Sequence, residues 1–97
     1  VHTINNACLT VWGIAIGGTD FTRVISETVA MGYDNDCTAA TAGSVVGAVV
    51  GRDGIPRHWT APFGDTIHTY LKGIDRFSIS DVLERFAIQK NRVMGIR

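Results

Sequence analysis

The sequence predicts an all-α fold, a compact bundle of about five helices. Three observations carry this reading. Apolar residues recur at the i, i+3, i+4 spacing of a helix face. Glycines and capping residues bound the periodic blocks. No block shows a convincing alternation with the period of two that a half-buried strand requires.

The first block runs from about Ile4 to Ile16, with Ile4, Ala7, Cys8, Val11, Trp12 and Ala15 on one stripe. That stripe, Trp12 included, is the expected core face. Gly17-Gly18 ends the block, and Thr19 or Asp20 can cap the next. Phe21, Val24, Ile25 and Val29 form the second stripe, with Gly32 in the position of a C-terminal cap glycine. The third block, from about Asn35 to Val50, places Ala39, Gly43, Gly47 and Gly51 in one row, every fourth residue. Such a row lets another backbone come close. Thr38, Thr41 and Ser44 interrupt its apolar stretch, which is shorter than the roughly 20 residues that a bilayer needs. The block is therefore read as a central helix of a bundle, not a membrane span.

Asp53-Gly54-Ile55-Pro56 reads as a turn. Trp59, Pro62 and Phe63 lie in the connection after it, where Trp59 is expected to pack against the bundle. Asp65 or Thr66 can cap a short helix containing Ile67, Tyr70 and Leu71 and ended by Gly73. Ser78 with Asp81 three residues on reads as a capping box. The helix it opens would bury Ile79, Val82, Leu83, Phe86 and Ala87.

The chain has 97 residues, enough for a single domain, residues 1–97. Nine Lys and Arg balance nine Asp and Glu. A neutral chain has no global field to attract nucleic acid or an anionic membrane, so neither is expected as a partner. Two cysteines, Cys8 and Cys37, cannot build a disulfide framework or a CxxC zinc site. They read as small buried thiols in a reducing, cytoplasmic compartment. No basic segment followed by an apolar run opens the chain, so no secretory signal is expected.

One constellation could carry chemistry. Asp34-Asn35-Asp36 opens the third helix. Two carboxylates two residues apart at a helix entrance can converge on a hard cation such as Mg²⁺ or Mn²⁺. They can equally serve as caps that complement the positive helix end. Spacing alone leaves both open. An EF-hand loop is excluded, because Ala39 and Val45 stand where it needs Gly and Glu.

The segment Gly32-Tyr33-Asp34-Asn35-Asp36-Cys37-Thr38-Ala39-Ala40, followed by Gly43, Gly47 and Gly51, resembles the ADP-ribosylglycohydrolase signature. Ile55-Pro56-Arg57-His58-Trp59, the opening Val1-His2-Thr3-Ile4-Asn5-Asn6, Asp20-Phe21 and Ser78-Ile79-Ser80-Asp81 also resemble bacterial members, so the likeness spans nearly the whole chain. The resemblance implies an all-α hydrolase with a binuclear Mg²⁺ or Mn²⁺ centre. Such enzymes cleave the N- or O-glycosidic bond between ADP-ribose and an acceptor, in a protein or a small molecule. By the same resemblance Asp34 and Asp36 match the family's C-terminal pair of metal-binding aspartates. Cys37 stands where members often carry a Thr as a further ligand, and a neutral thiol is a poor Mg²⁺ ligand.

No adjacent Thr-Asp-Asp run, and no catalytic acid, is identified in this chain. It is expected to be the C-terminal portion of a longer domain, inactive alone. The alternative is a helical assembly or binding module without the chemistry. Apolar surface that once faced a missing half would drive association, so a homo-oligomer is expected.

Among the other polar residues, His2 is the candidate for substrate binding, since Asn5 and Asn6 crowd its turn. His58 and His68 show no ligand spacing and read as surface residues. Ser44 and Ser80 lack triad partners, which leaves serine nucleophilic chemistry without support.

Overall fold

In the computed structural model, which describes residues 1–96, the chain forms five α-helices and one β-hairpin. Contacts divide it into two compact units, Val1–Trp59 and the residues from Thr60 on.

The first unit packs three helices, α1 (Thr3–Gly17), α2 (Phe21–Ala30) and α3 (Asn35–Val50). The starts of α1 and α2 have a local cause. His2 Nδ1 accepts the Ile4 N–H at 3.2 Å, and Asp20 Oδ1 accepts the Arg23 N–H at 3.0 Å. Gly18 and Gly32, with φ of 60° and 71°, turn the chain out of α1 and α2 in conformations that favour glycine.

The core consists of Val24, Ala42 and Val46, with Ile14, Phe21 and Val50 packed around them. Burying each valine is worth about 1.5–3 kcal/mol. Thr28 is also fully buried; its hydroxyl donates to the Val24 carbonyl at 2.7 Å, so the interface carries no unmatched donor.

The face that α1 buries differs from the expected one. Ile4, Val11 and Trp12 are exposed, Trp12 at 62%. Thr10 and Gly13 are buried instead. Asn6, Thr10, Gly13 and Gly17 share one face, about half a turn from the apolar stripe. Close approach to α2 explains the choice. A Cβ on Gly13 would strike the Thr28 hydroxyl, and one on Gly17 would lie 2.6 Å from the Val24 nitrogen and 2.7 Å from its Cα. Only glycine lets the two backbones meet this way. The expected row on α3 also faces α2, more loosely: Gly43 lies against Ile25 and Gly47 against Phe21.

After a 3₁₀ turn at Arg52–Gly54, the short α4 (Arg57–Thr60) places Trp59 on α2. Its Nε1 donates to Thr22 Oγ1 at 2.8 Å, and its ring meets Phe21 edge-on with centroids 6.1 Å apart. The expected packing of Trp59 is thus observed.

In the second unit, β1 (Thr66–Leu71) and β2 (Ile74–Ser78) pair antiparallel and α5 (Ile79–Met94) follows directly. The short helix expected near 66–73 is therefore a strand. The β-branched and aromatic residues Thr66, Ile67, Thr69 and Tyr70 favour it. Gly73, with φ of 80°, turns a hairpin instead of ending a helix. The stripe on α5 is only partly covered: Ile79 and Val82 are half-buried, whereas Leu83 and Phe86 are exposed. Two strands offer too little surface to cover more of a 16-residue helix.

Ser78 caps α5 as expected, accepting the Asp81 N–H at 3.3 Å. Asp65 adds to this cap. Its Oδ2 accepts from Ser78 Oγ at 2.8 Å, and its Oδ1 accepts from Ser80 N at 2.9 Å and Ser80 Oγ at 2.8 Å. Asp65→Ala is expected to cost about 1 kcal/mol. The check is amide exchange, which should speed up at Ser80 and Asp81 and stay unchanged in α2.

Candidate metal centre

Asp34 sits at the N-cap position of α3, yet its side chain makes no capping hydrogen bond. Its Oδ2 instead accepts from Asn6 Nδ2 of α1 at 2.7 Å. The capping role that spacing left open is thus not what this carboxylate does. Asp36 lies in the first turn of α3, where the helix end favours negative charge.

One oxygen from each carboxylate and the Cys37 sulfur all lie within 4.8 Å of one another. Two oxygens on opposite sides of one Mg²⁺ stand about 4 Å apart, a separation of the same order. Asp34 is half-buried, and Asp36 and Cys37 are exposed. The negative charges of Asp34 and then Asp36, a hydrogen bond to Asp34 and some desolvation raise the Cys37 thiol above its ordinary pKa. It stays neutral at neutral pH. The hard donors here are the two carboxylates, a set that suits Mg²⁺ or Mn²⁺.

Neither cysteine is the buried thiol expected, since both are exposed. Cys8 lies on the uncovered stripe of α1, and Cys37 faces out from the first turn of α3. Thr38, one place later, is buried and its hydroxyl donates to the Asn35 carbonyl, so it serves the bundle.

His2 is exposed and works as the cap of α1, while its carbonyl accepts the Asn6 N–H at 2.8 Å. Asn6 therefore links the turn containing His2 to Asp34. In the sequence Asn6 stands out as a neighbour of His2 and as part of the opening that resembles the family. The available signal was its place on the small-residue face with Thr10, Gly13 and Gly17, which turns it toward the other helices.

Tyr33, between Gly32 and Asp34, has a φ of 58° and is 84% exposed. His58 stays on the surface as expected, beside Trp59 with ring centroids 5.3 Å apart. Among the described residues no helix is long and apolar enough to cross a membrane.

These features define a mostly helical protein with two carboxylates brought together at the entrance of a helix. The ADP-ribosylglycohydrolase family model matches residues 2–91. The chain belongs to the ADP-ribosylglycohydrolase family. No curated protein and no solved structure matches it significantly.

Proposed function

We propose that the chain is the C-terminal part of a Mg²⁺- or Mn²⁺-dependent hydrolase that cleaves the glycosidic bond between ADP-ribose and an acceptor. Asp34 and Asp36 would hold the ion. The observation that carries this reading is the Asp34 carboxylate, turned away from capping, held by Asn6 and set beside Asp36. An ion held by Asp34 and Asp36 would supply polarisation of the ribose and a positioned water. Asn6 fixes the orientation of Asp34. Cys37, held neutral, leaves coordination to oxygen. His2 is the substrate-side candidate at the same helix end. The catalytic acid and the remaining ligands lie outside these residues, so the chain alone is inactive. The test is stabilisation by Mn²⁺ that depends on Asp36.

A second reading has its own observation. The uncovered stripe of α1, with Ile4, Val11 and Trp12, is an apolar face of the kind that drives association. On this reading the chain is a non-catalytic assembly module. Light scattering at micromolar concentration is expected to give a dimer or larger, and Trp12→Glu is expected to return it to monomer. A monomeric parent protein removes this reading.

A further inference from the structure

We infer that the groove between α5 and the hairpin docks an acidic amphipathic helix of a protein partner, a role separate from any chemistry at Asp34 and Asp36.

The groove holds about 660 Å³ and lies wholly within the second unit. Ile67 and Phe77 stand opposite one another on β1 and β2, so both side chains leave the same face of the hairpin. With Val82 and Phe86, one turn apart on α5, they line an apolar floor. Phe77 and Val82 are half-buried, whereas Phe86 is 73% exposed. Contiguous apolar surface rimmed by polar residues marks an interaction site.

The rim gives the sign of the partner. Arg85, Gln89 and Arg92 line the groove from one side of α5, at i, i+4 and i+7. No lining residue is acidic. Arg92 makes no ion pair among the described residues. Arg85 meets Asp81 at 3.7 Å, an exposed pair of the kind that contributes little. After Glu84 the sequence carries Arg85, Lys90, Arg92 and Arg97 and no acid. An occupant with apolar side chains and carboxylates along one edge therefore complements both the floor and the rim. Arg85 and Arg92 stand about 10 Å apart along the axis of α5, two helical turns. A helical partner repeats its carboxylates at the same two-turn interval. It also presents an apolar face at i, i+3, i+4 and i+7, the pattern by which helices enter grooves. Phe and Arg are residue types enriched at protein interfaces.

The experiment uses the protein at its full natural length and two labelled peptides read by fluorescence anisotropy. One is a helix of about four turns with leucines on one face and glutamates along its edge. The other has lysine in place of every glutamate. The parent is expected to bind the glutamate peptide at least about tenfold more tightly than the lysine peptide. Most of that preference should vanish near 1 M salt, where charges act over only about 3 Å. Arg85→Glu combined with Arg92→Glu is expected to reverse the preference, and Phe86→Asp to weaken the glutamate peptide about tenfold. All three side chains are exposed, so the variants should keep the amide protection of Ser80 and Asp81 at the start of α5. A parent that binds neither peptide overturns the inference, and the groove is then closed by another part of the natural polypeptide. Equal binding of both peptides overturns it by leaving only an apolar surface. Self-association of the parent that Phe86→Asp abolishes overturns it in favour of a second copy. Displacement of the peptide by a DNA oligonucleotide that binds Phe86→Asp as well as the parent would mark a phosphate-binding edge and also overturn it.

Discussion

Saturating Mn²⁺ is expected to raise the melting temperature of the helical unit by about 11–22 °C, and Asp36→Asn to abolish that rise. A ligand present at a hundred times its dissociation constant stabilises the folded state by about 2.7 kcal/mol. For a domain of this size each kcal/mol moves the midpoint by about 4–8 °C. Asn keeps the shape of Asp but removes the charge and one strong acceptor. Asp36 is exposed and in the first turn of α3, so the substitution leaves the core intact. The variant should therefore melt near the parent without metal and differ only when Mn²⁺ is added. A parent that does not respond, or an Asp36→Asn protein that responds equally, would refute the site. Asn6→Ala belongs in the same series. It frees Asp34 from α1 and is expected to give an intermediate shift.

Gly17→Ala should be the most damaging single-methyl change in the first unit. The added carbon would lie 2.6 Å from the Val24 nitrogen and 2.7 Å from its Cα. Those are backbone atoms of a packed helix, which cannot turn aside as a side-chain end can. Relief requires α1 and α2 to separate, which also opens the contacts of Val24. Overpacking of this kind costs about 3 kcal/mol, at the upper end of its usual range. The expected loss in melting temperature is therefore at least about 12 °C. Gly47→Ala is the control. Its new methyl would meet Phe21 at 3.6 Å and Ile55 at 3.7 Å, ordinary contact distances. Replacing a helical glycine there should stabilise by about 0.5–1 kcal/mol. If Gly17→Ala melts within two or three degrees of the parent, the close crossing of α1 and α2 is wrong.

The comparison of those two glycines also shows what was legible in the sequence. The third block was read with its observed limits, and the row Gly43, Gly47 was seen because four-residue spacing is conspicuous over three turns. Gly13 and Gly17 share that spacing but stand alone, and they sit opposite the apolar stripe of Ile4, Val11 and Trp12. Periodicity weighs large apolar side chains, so it selected the stripe. The contact that forms needs little side chain at all, only space for the backbone of α2. The hairpin was missed for a related reason. Thr66 to Leu71 mixes strand-favouring residues with no clean alternation, and Gly73 signals a helix end and a hairpin turn equally well. Its identity depends on Phe77 and Ser78, which lie across the turn and pair with Ile67 and Thr66.

At the site, Asp34 and Asp36 could be named from residue type and spacing. Whether they capped the helix or faced a ligand could not, since that depends on Asn6. Position 6 approaches position 34 only after two helices have folded back. Cys37 was seen as a departure from the family pattern. Its thiol is kept protonated by the same two charges that would attract a cation, a coupling visible only once the three side chains stand together.

The bond from Asn6 to Asp34 also orders events in time. Its partners are 28 positions apart in the chain. During synthesis α1 and α2 are complete before α3 leaves the ribosome. Their glycine crossing can therefore close while Asp34 is still out of reach. The carboxylate pair exists only once α3 has docked on α1, and fraying of the first turn of α3 takes it apart. A cation held there would act as a latch on a finished structure, slowing its opening, rather than as a seed around which the helices gather.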